Sequence, residues 1–227
     1  MKVLFLLPYQ LHRAPSQRFR VELFLPELDK NKIEYSIQPF LDENAWDALY
    51  KKGGLTAKLT GALKGYARRW RTILFGLRSY EYIFIHREAA PLGPPVFEWM
   101  ISKIYKKKII YDFDDAIWIP NTSKENRIVY WFKAFWKVKY ICKWSQTVVG
   151  GNDYLFSYAR KYNNNVKRIP SCVDTAGKHN QLTRHDTDKI SIGWTESHST
   201  LKYLDELIPV ITVFIIHLLI ATNPFII

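Results

Sequence analysis

The chain repeats a pattern that few folds can satisfy: short apolar runs separated by stretches of helical periodicity. Residues 2–8, KVLFLLP, form a continuous apolar run that ends on Pro8. A run without polar alternation fits a strand covered on both faces, as in a parallel sheet. Strand-like segments return as KIEYSIQPF (32–40), YEYIFIH (80–86), KIIYDF (108–113), QTVVGG (146–151) and VKRIP (166–170). Helical stretches lie between them. In PSQRFRVELFLPELDK (15–30), Pro15 and Ser16 are start signals, and Phe19, Leu23, Phe24 and Leu28 fall at helical spacing. Residues 41–50 read as a short helix broken by KKGG, and 91–107, 124–145 and 152–162 read as further helices. The alternation predicts an α/β fold with a doubly wound, Rossmann-like parallel sheet.

Residues 171–188 are polar and aperiodic and read as a linker after a first domain at 1–170. KISIGW (189–194) and SHSTLKYLDEL (197–207) then read as the opening strand and helix of a second domain, spanning 189–206. From 207 to 227 the composition changes. LIPVITVFIIHLLIATNPFII bears no charge. The expectation is an aberrant tail from a truncated or frameshifted frame, with a membrane anchor or a buried helix as alternatives.

Net charge is +12, which favours anionic partners. No helix-turn-helix, RRM or zinc-finger pattern accompanies it, so nucleic acid is not expected. The two cysteines, Cys142 and Cys172, exclude a disulfide framework, and no Cys/His cluster has zinc-ligand spacing. MKVLFLLPYQ has no small-residue cleavage site and reads as a strand, not a signal peptide. Together these features point to the cytoplasm.

Residues 55–78 carry a second charge signal. Leu55, Leu59, Ala62, Leu63, Tyr66, Trp70, Ile73, Leu74 and Leu77 share an arc of about 120° at about 100° per residue. Lys58, Lys64, Arg68, Arg69, Arg71 and Arg78 fall opposite, and no acid occurs between Asp47 and Glu81. Such a helix suits an anionic membrane surface, placing the protein peripherally at its inner face. The alternative is a helix packed on the sheet with a solvated basic side.

The candidate chemistry sits where strands end, because ligands of open α/β sheets bind outside the carboxyl ends. YDFDDAIW (111–118) places Asp112, Asp114 and Asp115 after the fourth strand. Asp114 and Asp115 are candidate catalytic carboxylates, able to orient a hydroxyl or stabilise developing positive charge. Capping or pairing with an arginine is the structural alternative, and the preferred one for Asp112. DFD is also a formal D-x-D, which elsewhere holds a divalent ion, but three letters carry that reading weakly and no metal is expected. Arg13, Ser16 and Arg18 in RAPSQRFR, with Arg20 ranked below them, are candidates for an anionic group at the first helix. In HRE, His86 is a candidate base, Arg87 a clamp and Glu88 an orienter. Asn152 reads as a helix cap.

Four of these stretches, HRAPSQRFR (12–20), HREAAPLGPPVFEW (86–99), IIYDFDDAIW (109–118) and VVGGNDYLFSYARKYNNNVKRIPSCVDT (148–175), resemble the N-terminal half of a GT-B glycosyltransferase of family 4, or glycosyltransferase group 1. ISIGWTESHSTLKYL (190–204) is similar to the opening of that family's second domain. The resemblance implies transfer of a sugar from a nucleotide-sugar to a surface or lipid-linked glycan, with retention and no cofactor beyond the co-substrate. It implies an N-terminal domain that takes the acceptor. It implies a donor domain with a late glutamate pair, and no glutamate follows Glu206 here. Glu196 stands where the family usually has glycine, and Asp114–Asp115 where many relatives have His-Asp. A chain so cut is expected to transfer poorly, and the competing reading is a non-catalytic, membrane-associated binding module.

Overall fold

The computed structural model describes residues 1–50, 54–120, 132–175, 177, 180–181 and 202–222. The predicted strand at 189–194, Glu196, most of KKGG, and the first part of the helix predicted over 124–145 lie outside these residues. Contacts divide the chain into two units, Met1–Asn180 and Gln181–Ile227.

The first unit is built on six strands: β1 (Lys2–Leu7), β2 (Glu34–Pro39), β3 (Tyr82–His86), β4 (Lys108–Phe113), β5 (Thr147–Gly150) and β6 (Val166–Arg168). Every pairing is parallel, and the order is β2-β1-β3-β4-β5-β6. The α/β, Rossmann-like fold read from the sequence is the fold observed. Strand β1 explains its own apolar run. Leu4 and Leu6 join the larger core with Ile83, Ile85, Ile109, Tyr111 and Phe113. Val3, Phe5 and Leu7 join the smaller one with Val21, on the other side of the sheet. Direction reverses at β1, which has β2 on one side and β3 on the other. The carboxyl ends of β1 and β3 therefore flank the switch point of the sheet.

The helices are α1 (Pro15–Arg20), α2 (Leu25–Lys30), α3 (Glu43–Tyr50), α4 (Leu55–Arg71), α5 (Val96–Trp99), α6 (Lys137–Trp144) and α7 (Asp153–Arg160). The single helix predicted over 15–30 is broken. Val21 leaves helical geometry, and a 3-10 turn over Glu22–Phe24 separates α1 from α2. Pro26 opens α2 because its missing N–H costs nothing in a first turn. The helix predicted over 91–107 is confined to α5 and a π turn at Met100–Ile104.

The faces of α4 differ most from expectation. Its buried stripe is Gly61, Gly65 and Arg69, continued by Ile73 within a π turn at Thr72–Gly76 and by Leu77 after it. A Cβ at Gly65 would sit 2.7 Å from Phe40 O, and one at Gly61 would sit 2.5 Å from Ala45 Cβ. Missing side chains here let α4 approach closely. Arg69, placed on the basic back by periodicity, is wholly buried, whereas Leu59, Leu63, Trp70 and Leu74 are exposed. The guanidinium wins the buried position because it finds carbonyl partners. Arg69 donates to Leu7 O at 2.9 Å, Gln38 O at 2.9 Å and Ala89 O at 2.8 Å, at the carboxyl ends of β1 and β2 and in the loop after β3. Burial pulls its pKa down to about 9.

In the second unit, Lys202–Thr222 is one helix, α8, that continues through Pro209. Among the described residues, no helix is long and apolar enough to cross a membrane.

Candidate functional site

The carboxyl ends of β3, β4 and β5 gather the polar residues. Asp112, near the end of β4, is buried, and both its oxygens are engaged. Arg20 reaches it from α1 with two nitrogens, Nε to Oδ2 at 3.3 Å and Nη2 to Oδ1. His86, the last residue of β3, sets Nδ1 2.8 Å from Asp112 Oδ2. Register places the two side by side, since His86 pairs with Asp112 across the ladder. Arg20 also donates to Ile169 O beyond β6, so one guanidinium ties α1, β4 and the end of the sheet together.

This arrangement decides the role of Asp112. Its carboxylate is held by a guanidinium and an imidazole and orients both. It is not free to join Asp114 around a cation, which removes the geometric basis of the D-x-D reading. Among the described residues, no group of three potential ligands could hold a metal. With Nδ1 facing a carboxylate, the proton resides on Nδ1 and Nε2 becomes the atom open to chemistry. His86 Nε2 is buried and has no hydrogen-bond partner.

Arg87 follows in the left-handed region, with φ 65°, where a non-glycine residue is strained. Its backbone is pinned from both sides. Its N–H donates to Asp112 O at 2.7 Å, and its carbonyl accepts from Tyr111 Oη at 2.8 Å. The side chain donates to Asp115 Oδ2 at 2.6 Å, and its Nε lies 3.7 Å from Asp114 Oδ1. That exceeds hydrogen-bond length, so Asp114 Oδ1 is buried without a hydrogen bond. Gly151 borders the group. A Cβ there would sit 3.6 Å from Arg20 Nη1 and 4.0 Å from Asp114 Cα.

Glu88 points to a second polar cluster. It accepts from the buried Lys137 of α6 at 2.7 Å, and Lys137 also donates to Ala90 O at 3.0 Å. Glu98 accepts from Ala89 N at 2.9 Å. Desolvation raises the pKa of both glutamates, with Lys137 opposing it. Together with Arg69, these groups brace the loop after β3.

The remaining candidates fall elsewhere. Arg13 and Arg18 are exposed, and Arg13 pairs with Glu43 of α3. Ser16 is half-buried in α1, a helix of six residues. The loop after β1 is organised instead by Gln17, which is fully buried and bonds Tyr9 N, Gln10 O and Glu22. Nothing in the sequence singles out Gln17. Arg20, ranked last among the arginines of its motif, is the one that reaches the site. Its signal was an arginine near the buried end of an amphipathic turn. Asn152 caps α7 by accepting from Leu155 N at 2.9 Å. Beside it, Trp118 lies flat on Tyr158, centroids 3.6 Å apart.

The strand ends thus present an oriented imidazole, an arginine with a nearby carboxylate pair, and two buried polar atoms without a hydrogen bond. Such a set can bind and orient hydroxyl groups and can accept a proton at His86 Nε2. No protein-family model matches the chain, and no curated protein matches it.

Proposed function

We propose that the six-stranded unit is the acceptor-binding domain of a glycosyltransferase that uses a nucleotide-sugar as co-substrate. The acceptor is a glycan, surface or lipid-linked, whose hydroxyls bind at the ends of β3 and β4. One observation carries this reading. His86 Nε2 and Asp114 Oδ1 are both buried, both without a hydrogen bond, and both sit at the carboxyl edge near the switch point. Buried polar atoms without partners are rare because each costs desolvation. Both atoms accept, so each is satisfied by a hydroxyl that donates to it. In this reading His86 accepts from the hydroxyl, Asp112 holds the imidazole in its tautomer, and Arg87 fixes Asp114 and Asp115. The four stretches that resemble a family 4 enzyme lie at these same loops.

A glycan array probed with the labelled chain tests the reading. The wild-type chain is expected to retain a restricted set of glycans, and Asp114→Ala to lose about tenfold or more in affinity for them. Retention of no glycan by the wild type, or an unchanged profile for Asp114→Ala, overturns it. Transfer from radiolabelled UDP- and GDP-sugars to the retained glycans then tests the co-substrate.

A further inference from the structure

The helices over one face of the sheet carry an unusual surface. Helices α4, α5 and α6 lie side by side there. Trp70 of α4 meets Phe97 of α5 with ring centroids 5.0 Å apart. Pro94, Val96 and Trp99 then line an apolar groove of about 240 Å³ together with Trp136, which precedes α6, and Tyr140 and Trp144 of α6. Across the three helices Leu59, Leu63, Trp70, Leu74, Trp99 and Trp136 are all at least 40% exposed. Scattered exposed apolar residues need no explanation, but a contiguous run across three helices does.

The charges on this face have one sign. Among the described residues, α4 and the turns after it to Ser79 contain no acid, and neither does 132–146. Glu98, the one acid of α5, is buried. Lys64 and Arg71 of α4, Lys103 in the π turn after α5 and Lys143 of α6 are exposed. The other face of the sheet differs, since α2 carries Glu27 and Asp29. Indole and phenol rings beside lysines and arginines are the composition that settles at the boundary of an anionic bilayer. A second copy of the chain is disfavoured, because a two-fold contact would set this basic face against itself.

We infer that this face, formed by α4, α5 and α6 together, docks on an anionic phospholipid surface. Trp70, Trp99 and Trp136 enter the headgroup boundary, and Lys64, Lys103 and Lys143 contact lipid phosphates. This widens the surface expected at residues 55–78 and changes its make-up. The apolar contact comes from the solvent side of α4, and Arg69 takes no part. The inference does not depend on glycan binding, since it uses none of the residues assigned to the glycan.

Vesicle flotation tests it with three variants of the full chain: Trp99→Ser with Trp136→Ser, Lys103→Glu with Lys143→Glu, and Lys30→Glu with Lys32→Glu. The last makes the same charge change outside this face. Vesicles of pure phosphatidylcholine are compared with vesicles containing about one-third phosphatidylglycerol. The wild type is expected to float with the anionic vesicles alone, and the first two variants to lose about tenfold or more in binding. The Lys30/Lys32 variant is expected to bind as the wild type. No flotation of the wild type overturns the inference. An equal loss in the Lys30/Lys32 variant overturns it too, leaving only general charge attraction. Should the aromatic variant fail to fold, wild-type tryptophan emission decides. Quenching by brominated acyl chains supports docking, and its absence overturns it. Self-association abolished by the aromatic variant, without vesicle binding, identifies a second copy as the occupant and overturns the bilayer.

Discussion

Arg20 and Asp112 stand 92 residues apart in the chain and close into a buried ion pair, with side chains 2% and 1% exposed. The pair fastens α1 to the end of β4 and, through Asp112, fixes His86. Removing one partner strands a buried charge, whereas removing both does not. Asp112→Ala and Arg20→Met are each expected to cost about 3–5 kcal/mol in urea unfolding. The combination of Arg20→Met with Asp112→Leu should cost clearly less than the sum of its parts. Additive losses would show that the two groups do not act as a unit.

Much of this fold is visible in the sequence, and the reason is physical. Strand β1 has no polar alternation because both its faces are covered, and that is a one-dimensional signal. Which residues of α4 face inward is not such a signal. Periodicity assigns leucines to the core and arginines to solvent. Here the strand ends of β1 and β2 and the loop after β3 offer three carbonyls that Arg69 can satisfy, and Phe40 lies so close that only glycine fits at 65. Both facts depend on partners distant in sequence. The candidate site follows the same division. That carboxylates, an imidazole and arginines gather at strand ends is legible from strand boundaries. That Asp112 serves His86 while Asp114 Oδ1 is left without a hydrogen bond depends on the β3–β4 register.

The cluster beside the site gives a pH prediction. Burial raises Glu88 and Glu98 above their ordinary value of 4.5, with Lys137 opposing. Above that value the folded chain holds protons that the unfolded chain has released. Stability from these groups is therefore full below about 4.5 and is lost as pH rises through the raised values. Urea unfolding across this range should show the loss in the wild type and a shallower one in Glu98→Gln. The amide keeps an acceptor for Ala89 N–H but does not titrate. Identical slopes in the two proteins would remove Glu98 as a source.

The two thiols should behave differently. Cys142 is buried in the larger core and burial pushes its thiol up to about 12, whereas Cys172 is exposed. The thiolate is the reactive form, so a native chain should react with one equivalent of a thiol reagent, at Cys172. Denaturation should release the second. Cys172→Ser should leave almost no reaction in the folded protein, and rapid labelling of that variant would show that the α6 core opens.

Glycines offer a last contrast, because two of them in one helical stretch have opposite surroundings. A methyl group at Gly65 would meet the Phe40 carbonyl at 2.7 Å and its ring at 2.8 Å. Backbone cannot yield as a flexible side chain does, so Gly65→Ala is expected to cost about 1–3 kcal/mol. At Gly76 the nearest atom is Thr72 Cγ2 at 3.7 Å, an ordinary contact, and φ is −103°. Gly76→Ala should leave stability unchanged or raise it by about 0.4–1 kcal/mol through a stiffer unfolded chain. Chemical denaturation of both variants measures the difference. A Gly65→Ala protein as stable as the wild type would mean that α4 is not held against Phe40 by close packing.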